Sequence, residues 1–166
     1  MNKVYLSLGS NLGNREVALR TAIDLLRSPD FTVLRVSSVY ETEPMDVPGQ
    51  PWFLNLVLEA ETSLFPRQLL ARAARIEREL GRRRTTPKGP RSIDIDILLY
   101  GRAVVDAPDL AIPHPRLAQR RFVLEPLAEL APELRHPSTR RPVSEMLAAV
   151  RDQVVRRTAF QITLSE

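Results

Sequence analysis

The order of strand-like and helix-like segments constrains the fold of this chain most strongly. Four segments have the aliphatic content or alternation typical of strands, at residues 3–9, 31–40, 53–61 and 92–100. Two segments favour amphipathic helices, at residues 15–27 and 66–80. The resulting order, β-α-β-β-α-β, is that of the ferredoxin-like, split βαβ arrangement. We therefore predict an α+β fold: a ferredoxin-like sheet with helices on one face and extra helices or a strand at the C-terminal end.

Proline and glycine set the ends of several elements. Pro29 stops the first helix, Pro66 suits the first turn of the second, and Gly81 suits its end. Residues 41–52 contain three prolines and a glycine, so we predict a loop there. Beyond the fourth strand the patterns favour short helices at 116–120, 122–131 and 143–150, and a segment at 154–164 that either adds a strand or stays loosely attached.

The composition excludes several classes of protein. There is no cysteine, which excludes disulfides and cysteine-ligated zinc. No apolar run approaches the ~18 residues of a membrane span, and the first residues lack a signal-peptide core, so we expect a cytoplasmic protein with no membrane partner. The net charge of +4 is too small to indicate nucleic acid as a partner. A length of 166 residues suits one domain, residues 1–166.

The fourth strand carries two carboxylates on one face. In the run Ile93-Asp94-Ile95-Asp96-Ile97 the isoleucines share one face and the aspartates share the other. Residues two apart on a strand have Cα atoms about 6.5–7 Å apart, so the carboxylates repel unless a positive charge lies between them. Divalent metal ions with oxygen ligands commonly supply that charge. The alternative is an ordinary solvated strand face.

The segment before this strand is basic and contains no acid. It holds five cationic residues, Arg82, Arg83, Arg84, Lys88 and Arg91. Arginine is well suited to phosphate oxygens, and metals can bridge carboxylates to the same phosphates. The chain has no glycine-rich P-loop, and residues 9–13 favour a strand-to-helix turn. The combination predicts a metal-assisted phosphoryl-transfer site with residues 82–91 as a lid over a nucleotide.

Two further groups of residues are candidates for ligand contacts. Phe53 and Asn55 share a strand face and could stack on and hydrogen-bond a flat heterocycle, although an ordinary cross-strand pair is an equal alternative. His114 lies between two prolines in an extended loop, and Arg120 precedes Phe122. His114 could equally be a structural loop residue, and Arg120 part of a solvated helix start.

Taken together, these motifs resemble the 6-hydroxymethyl-7,8-dihydropterin pyrophosphokinase family of folate biosynthesis. The most specific is the run Gly-Pro-Arg-Ser-Ile-Asp-Ile-Asp-Ile at 89–97. The matching segments follow the family's order across residues 3–132, at 8–13, 38–44, 50–58, 76–77 with 81–82, 89–99 and 113–122. The resemblance implies a ferredoxin-like fold and pyrophosphoryl transfer from ATP to the pterin hydroxymethyl group, with release of AMP.

The resemblance also implies roles for individual residues. Asp94 and Asp96 would hold two Mg²⁺ ions and, with Arg82 and Arg91, form the catalytic set. The implied ATP contacts are Glu77 on the ribose side, together with Arg82, Arg84, Arg91, Ile97, His114 and Arg120. The implied pterin contacts are Thr42, Pro44, Met45, Phe53, Asn55, Asp94 and Phe122, with the ring stacked between the two phenylalanines. The partners expected are these small molecules, and the chain is expected to be a monomer.

One position departs from the family pattern. Family members often have a tryptophan immediately before the Gly-Pro-Arg run, where this chain has Lys88.

Two other kinds of protein fit part of the pattern. A ferredoxin-like RNA-binding module would need exposed aromatics where this chain has carboxylates. A two-metal phosphohydrolase or nuclease fits the aspartate pair but not the Phe53 and Asn55 strand.

Overall fold

A six-stranded antiparallel sheet with helices on both faces is the core of the fold, in a computed structural model that describes residues 1–43, 49–81 and 92–165. The strands are β1 (Asn2–Ser10), β2 (Phe31–Val36), β3 (Tyr40–Thr42), β4 (Phe53–Thr62), β5 (Asp94–Tyr100), β6 (Val105–Ala107), β7 (Leu110–Ile112) and β8 (Val155–Arg157). The helices are α1 (Arg15–Leu26), α2 (Pro66–Glu79), α3 (Arg121–Leu130) and α4 (Val143–Ala148), with a 3-10 turn at Leu117–Gln119.

The two longest strands, β1 and β4, lie side by side at the centre of the sheet. They pair antiparallel from Asn2 opposite Thr62 to Ser10 opposite Leu54. β5 pairs with the other edge of β1, while β2 and β3 both pair with the other edge of β4. β8 then pairs with β3. β6 and β7 form a separate hairpin that the sequence patterns did not predict.

The sequence predicts one strand over 31–40 followed by a loop from residue 41. A strand is confirmed over Phe31–Val36, but its continuity to residue 40 and the start of the loop at residue 41 are wrong. Ser37 interrupts the strand: its backbone N–H donates to Val57 O at 2.9 Å, but Val57 N–H donates to the Ser37 hydroxyl at 2.9 Å. A side-chain oxygen therefore replaces a backbone carbonyl in the ladder. Pairing resumes at β3, where Thr42 lies opposite Phe53. Thr42 thus belongs to the sheet.

The helices predicted at 15–27, 66–80, 122–131 and 143–150 are confirmed, while the helix predicted at 116–120 is a 3-10 turn of three residues. The start of α1 and the end of α2 have the expected caps. Asn14 Oδ1 accepts from Val17 N–H at 3.1 Å at the start of α1. Gly81 follows α2 with a φ of +79°, a conformation that glycine adopts without strain. Within residues 1–43, 49–81 and 92–165, every helix is too short or too polar to cross a membrane.

Each face of the sheet has its own core. Val4, Leu6 and Leu8 of β1 point to one face, where α1 and α2 cover them. Tyr5 of β1 and Val57 of β4 point to the opposite face, where α3 and α4 pack. The sequence predicts helices on one face, and α1 and α2 lie there. The C-terminal helices cover the other face, which the predicted element order does not specify.

The C-terminal segment packs on the domain. β8 extends the sheet, and Phe160, Ile162 and Leu164 lie against the core on the α1 side. Arg27, directly after α1, donates to the Ser165 hydroxyl at 3.1 Å and to the Ser165 carbonyl at 2.6 Å. Of the two alternatives for residues 154–164, the added strand is confirmed.

Candidate active site

A row of paired residues crosses three strands on the face that α3 covers. Gly9 of β1 lies opposite Asp94 of β5 on one side and opposite Asn55 of β4 on the other. Residues paired across an antiparallel ladder point to the same face, so the carboxylate and the amide flank a position with no side chain. Two strand spacings separate the carboxylate strand from the amide strand, about 10 Å in all.

Gly9 has no side chain, and the space that a Cβ would take is occupied by neighbouring side chains of β4. A Cβ at this position would lie 2.6 Å from Asn55 Oδ1 and 3.5 Å from Phe53 Cδ1. Both side chains therefore lean over the Gly9 backbone, toward the carboxylate strand. Gly9 was not among the predicted site residues. The available signal was a glycine within an alternating strand, which marks a close approach.

A hydrogen bond fixes the orientation of the Asn55 amide. Asn55 Nδ2 donates to Thr42 Oγ1 at 2.6 Å, and both side chains are buried. Thr42 in turn lies opposite Phe53 in the β3–β4 ladder. The structure therefore brings together Thr42, Phe53 and Asn55, three of the residues predicted for the pterin.

Asp96 lies one row further along β5. It is paired with Ser7 of β1, and its charge acts on His114, which follows β7. The His114 backbone N–H donates to Leu98 O at 3.0 Å, which attaches this loop to β5. Burial lowers the pKa of His114, the Asp96 carboxylate opposes that shift, and Arg120 and Arg116 add to it. The imidazole is therefore favoured in its neutral form.

Arg120 and Phe122 lie where α3 begins. The Arg120 guanidinium carbon is 5.3 Å from the centre of the Phe122 ring, a cation–π distance. Phe122 packs against the core on the α3 side, and Arg120 is close enough to His114 to affect its pKa. His114, Arg120 and Phe122 therefore lie on the α3 side of the sheet, the side on which the described residues Phe53, Asn55, Asp94 and Asp96 also lie.

Two predicted ATP residues lie elsewhere. Glu77 of α2 is buried, and its Oε2 accepts from the Ile95 backbone N–H at 3.2 Å, on the outer edge of β5. The Ile97 side chain is buried in the core on the α1 side. A contact of Ile97 with a nucleotide would therefore come from its backbone. The roles of both residues stay predictions.

Several predicted residues lie outside the described residues. These are Pro44 and Met45 on the pterin side, the phosphate candidates Arg82, Arg84 and Arg91, and Lys88, where the chain departs from the family pattern.

Asp94 and Asp96 have the chemistry of a magnesium site. Mg²⁺ is usually bound through one or two protein carboxylates, with water and substrate phosphates completing the octahedron. Both aspartates are half-buried on the same face of β5, and Asp94 lies opposite Gly9 of β1. Among the residues that the structure describes, no group of three or more acidic or histidine side chains could hold a metal. The pair fits an ion that shares its coordination with a phosphate.

The α+β fold and the paired carboxylates define an enzyme-like domain with one polar, partly aromatic sheet face. Residues 5–132 match the sequence profile of the 7,8-dihydro-6-hydroxymethylpterin-pyrophosphokinase (HPPK) family. The chain belongs to this family.

Relatives of two sizes are similar to this chain. The 2-amino-4-hydroxy-6-hydroxymethyldihydropteridine pyrophosphokinase of Bacillus subtilis is 46% identical over 139 residues, covering 83% of each chain. The folic acid synthesis proteins fol1 of Pneumocystis carinii and Schizosaccharomyces pombe are 48% and 46% identical. These matches cover 82% and 93% of this chain but only 18% and 21% of the fungal proteins, so the chain spans about a fifth of their length.

Solved structures share the fold. The Plasmodium falciparum HPPK-DHPS wild type with pteroate superposes with a TM-score of 0.74 at 16% identity. The match covers 89% of this chain and 44% of that one. Its triple mutant S436F/A437G/A613T with STZ-DHP gives a TM-score of 0.72 over similar shares. The chain therefore spans less than half of these structures.

Proposed function

We propose that this protein transfers the pyrophosphoryl group of ATP to 6-hydroxymethyl-7,8-dihydropterin, giving the pterin diphosphate and AMP in folate biosynthesis. One observation carries the proposal: the Asp94 and Asp96 strand and the Phe53 and Asn55 strand flank the side-chain-free position at Gly9. Membership of the HPPK family, and bacterial relatives of similar length that bear this enzyme name, support it.

We further propose that the architecture is ferredoxin-like. The antiparallel order β5-β1-β4-β2, with α1 and α2 on one face, supports this assignment. We also propose that residues 1–166 act as one catalytic domain, since both cores share a single sheet. We propose in addition that the protein is a monomer in the cytoplasm. Sedimentation of the purified protein would test the monomer.

On the acceptor side, Asn55 and Thr42 would read the edge of the pterin ring. Their mutual hydrogen bond holds the amide in one orientation before substrate binds, which reduces the cost of binding. Phe53 would stack on the ring, with Phe122 on its other side. Pro44 and Met45 would complete this subsite.

On the donor side, Asp94 and Asp96 would hold two Mg²⁺ ions. Mg²⁺ supplies positive charge that neutralises the phosphate oxygens. His114 and Arg120 would contact phosphate, as would Arg82, Arg84 and Arg91, while Glu77 and the Ile97 backbone would contact the rest of ATP. Arginine suits this role because its planar group binds phosphate oxygens in pairs.

The reaction itself needs position more than a protein base. The hydroxymethyl oxygen attacks the β-phosphorus, the bond from that phosphorus to the oxygen bridging the α-phosphate breaks, and AMP leaves as the hydroxyl proton is released. Phosphoryl transfer depends mainly on in-line geometry and neutralisation of charge. The amide strand and the carboxylate strand, which lie on either side of Gly9, would place acceptor and donor for this attack.

Incubation with ATP, Mg²⁺ and 6-hydroxymethyl-7,8-dihydropterin tests the proposal. AMP should form in equal amount with the pterin diphosphate. ADP and free phosphate would instead indicate a kinase or a hydrolase. Tight RNA binding without turnover would indicate a binding module.

Asp96→Ala tests the carboxylate pair. Removing a main electrostatic group should lower turnover by about 10²–10³-fold while the fold is kept. Asp106→Ala is the matched control, because Asp106 is an exposed aspartate on the β6–β7 hairpin. Unchanged Mg²⁺-dependent turnover in Asp96→Ala would show that the metal assignment is wrong.

A further inference from the structure

A polar cluster lies on the α1 face of the sheet, whereas the Asn55 and Thr42 side chains point to the α3 face. Its centre is Glu41 of β3, whose neighbours Tyr40 and Thr42 point to the other face. Arg15 Nη1 of α1 donates to Glu41 Oε2 at 3.1 Å, and Arg156 Nη2 of β8 donates to Glu41 Oε1. Both carboxylate oxygens are therefore engaged, one by the first helix and one by the C-terminal strand.

The same two arginines also hold Trp52. Arg15 Nη1 donates to the Trp52 carbonyl at 2.7 Å. The Arg156 guanidinium carbon lies 5.2 Å from the centre of the Trp52 ring, within cation–π range. We call Arg15, Glu41, Trp52 and Arg156 the Glu41 junction. Charge-assisted hydrogen bonds that share partners in this way are stronger than isolated surface pairs.

The junction adjoins the pterin-facing residues on both strands. Glu41 is bonded to Thr42 along the chain, and Trp52 is bonded to Phe53. Thr42, the last residue of β3, and Phe53, the first residue of β4, lie opposite each other in the ladder. The junction therefore ties together the backbones of two residues whose side chains point into the proposed acceptor subsite.

The pairing that the junction supports is short. β3 has three residues, and its pairing with β4 runs only from Tyr40 opposite Asn55 to Thr42 opposite Phe53. Such a short ladder has few backbone hydrogen bonds of its own, so side-chain ties contribute a large share of its order. β8, which carries Arg156, pairs with the outer edge of β3.

We propose that Glu41 and Arg156 are positioning residues for the acceptor, and that β8 thereby holds the Thr42 and Phe53 pair in its pterin-binding geometry. The inference rests on the proposed function. Hydrogen bonds from Arg156 and from Arg15 lower the pKa of Glu41, so the carboxylate is ionised in the neutral range. Neither residue contacts the reacting groups; each acts through the backbone of its neighbours.

Truncation of the junction should leave the fold intact. An open cleft of about 560 Å³ lies beside it, lined by its four members together with Asn11, Leu12, Gly13 and Pro51. Because the Arg156 side chain is 66% exposed, its removal creates no buried cavity. Effects of Arg156→Ala can therefore be assigned to position rather than to packing.

Steady-state kinetics of Arg156→Ala and Glu41→Gln test the proposal. Each variant should raise the KM for the pterin about three- to tenfold, with kcat and the KM for ATP within about twofold of wild type. Arg156→Lys should recover part of the loss, because it keeps the charge and loses the planar contact with Trp52. The double variant should cost no more than the more severe single variant, since both act in one junction.

Arg67→Ala is the matched control. Arg67 is a similarly exposed arginine, at 61%, in an ion pair with Asp109 away from β3. It should leave both KM values unchanged. If the role of the junction were merely structural, the variants would lower kcat per mole of protein, because fewer molecules would be folded. A wild-type KM for the pterin in both single variants would overturn this inference and leave the proposed function standing. A wild-type protein that does not turn over the pterin would overturn the proposed function and this inference with it.

Discussion

At the scale of the residue, Gly9 is the position where an added atom would have the largest effect on the site. An alanine Cβ would lie 2.6 Å from Asn55 Oδ1, so the amide would have to turn away and lose its bond to Thr42. We predict that Gly9→Ala weakens pterin binding by about tenfold or more and costs about 1–3 kcal/mol of stability. Calorimetric titration with the pterin and thermal unfolding measure the two effects.

A double-mutant cycle separates this clash from a general disturbance of β1. If the clash with Asn55 is the cause, Gly9→Ala should add little further loss of binding in an Asn55→Ala background. Equal losses of binding in both backgrounds would show that Gly9 acts on the pterin by another route.

At the scale of the element, α3 holds the short strand β3 in place. Glu129 Oε2 accepts from the Ser38 backbone N–H at 2.9 Å and from the Ser38 hydroxyl at 3.1 Å, while its Oε1 accepts from the Tyr40 hydroxyl at 2.7 Å. One carboxylate therefore satisfies three donors at the interruption between β2 and β3. Burial and the hydrogen bond to Glu129 both raise the pKa of Tyr40, which keeps the phenol protonated as a donor.

Glu129→Ala should loosen β3 selectively. Loss of three hydrogen bonds that two buried residues, Ser38 and Tyr40, donate to one carboxylate should cost about 1–3 kcal/mol and speed hydrogen exchange of the backbone amides of β3. Exchange measured by mass spectrometry, with urea unfolding, checks both effects. Glu133→Ala is the control, since Glu133 is an exposed glutamate shortly after α3. Equal exchange in the two variants would mean that β3 does not depend on α3.

At the scale of the whole molecule, buried carboxylates make stability depend on pH. Glu59 of β4 has a side chain only 6% exposed and accepts hydrogen bonds from Arg35, at 2.9 and 3.2 Å, and from the Tyr5 hydroxyl. The hydrogen bonds from Arg35, joined by that from Tyr5, hold the pKa of Glu59 below its ordinary value of 4.5, against the opposing effect of burial. The folded state therefore binds this proton less readily than the unfolded state.

The sign of the pH effect follows from this shift. A lowered pKa in the folded state contributes stability that is present above about pH 4.5 and is lost as the pH falls through the lower, folded-state value. We predict that the free energy of unfolding falls with pH below about 4.5, and that Glu59→Gln flattens this slope while lowering stability at pH 7 by about 1–3 kcal/mol. Urea denaturation at pH 7 and pH 4 measures both. An unchanged slope in Glu59→Gln would assign the acid sensitivity to other carboxylates.

The central elements of this fold were predictable because their signals are local. The periodicity of α2, the proline at its first turn and the glycine after its end all lie within one segment. The break at Ser37 was not predictable in this way, because it depends on a hydrogen bond to Val57, twenty residues away. The β6–β7 hairpin was missed because its strands have three residues each.

The residues of the candidate site also divide into those that a local pattern predicts and those that depend on distant neighbours. Asp94, Asp96, Phe53 and Asn55 were predicted from alternation and residue chemistry, and the structure places them on one face of the sheet. Gly9 and Glu41 were missed, because the importance of each depends on neighbours from other strands and, for Glu41, from the far end of the chain.

The sequence by itself determined the longer helices and strands, where most of them end, and which side chains have the chemistry to bind a metal or a phosphate. Those properties follow from periodicity, caps and the chemistry of single residues. Only the tertiary structure decided that Gly9 separates the carboxylate strand from the amide strand, that α3 and α4 cover the site's face, and that Arg156 reaches Glu41. Those properties depend on contacts between residues far apart in the chain, which pairing register and packing specify and local pattern does not.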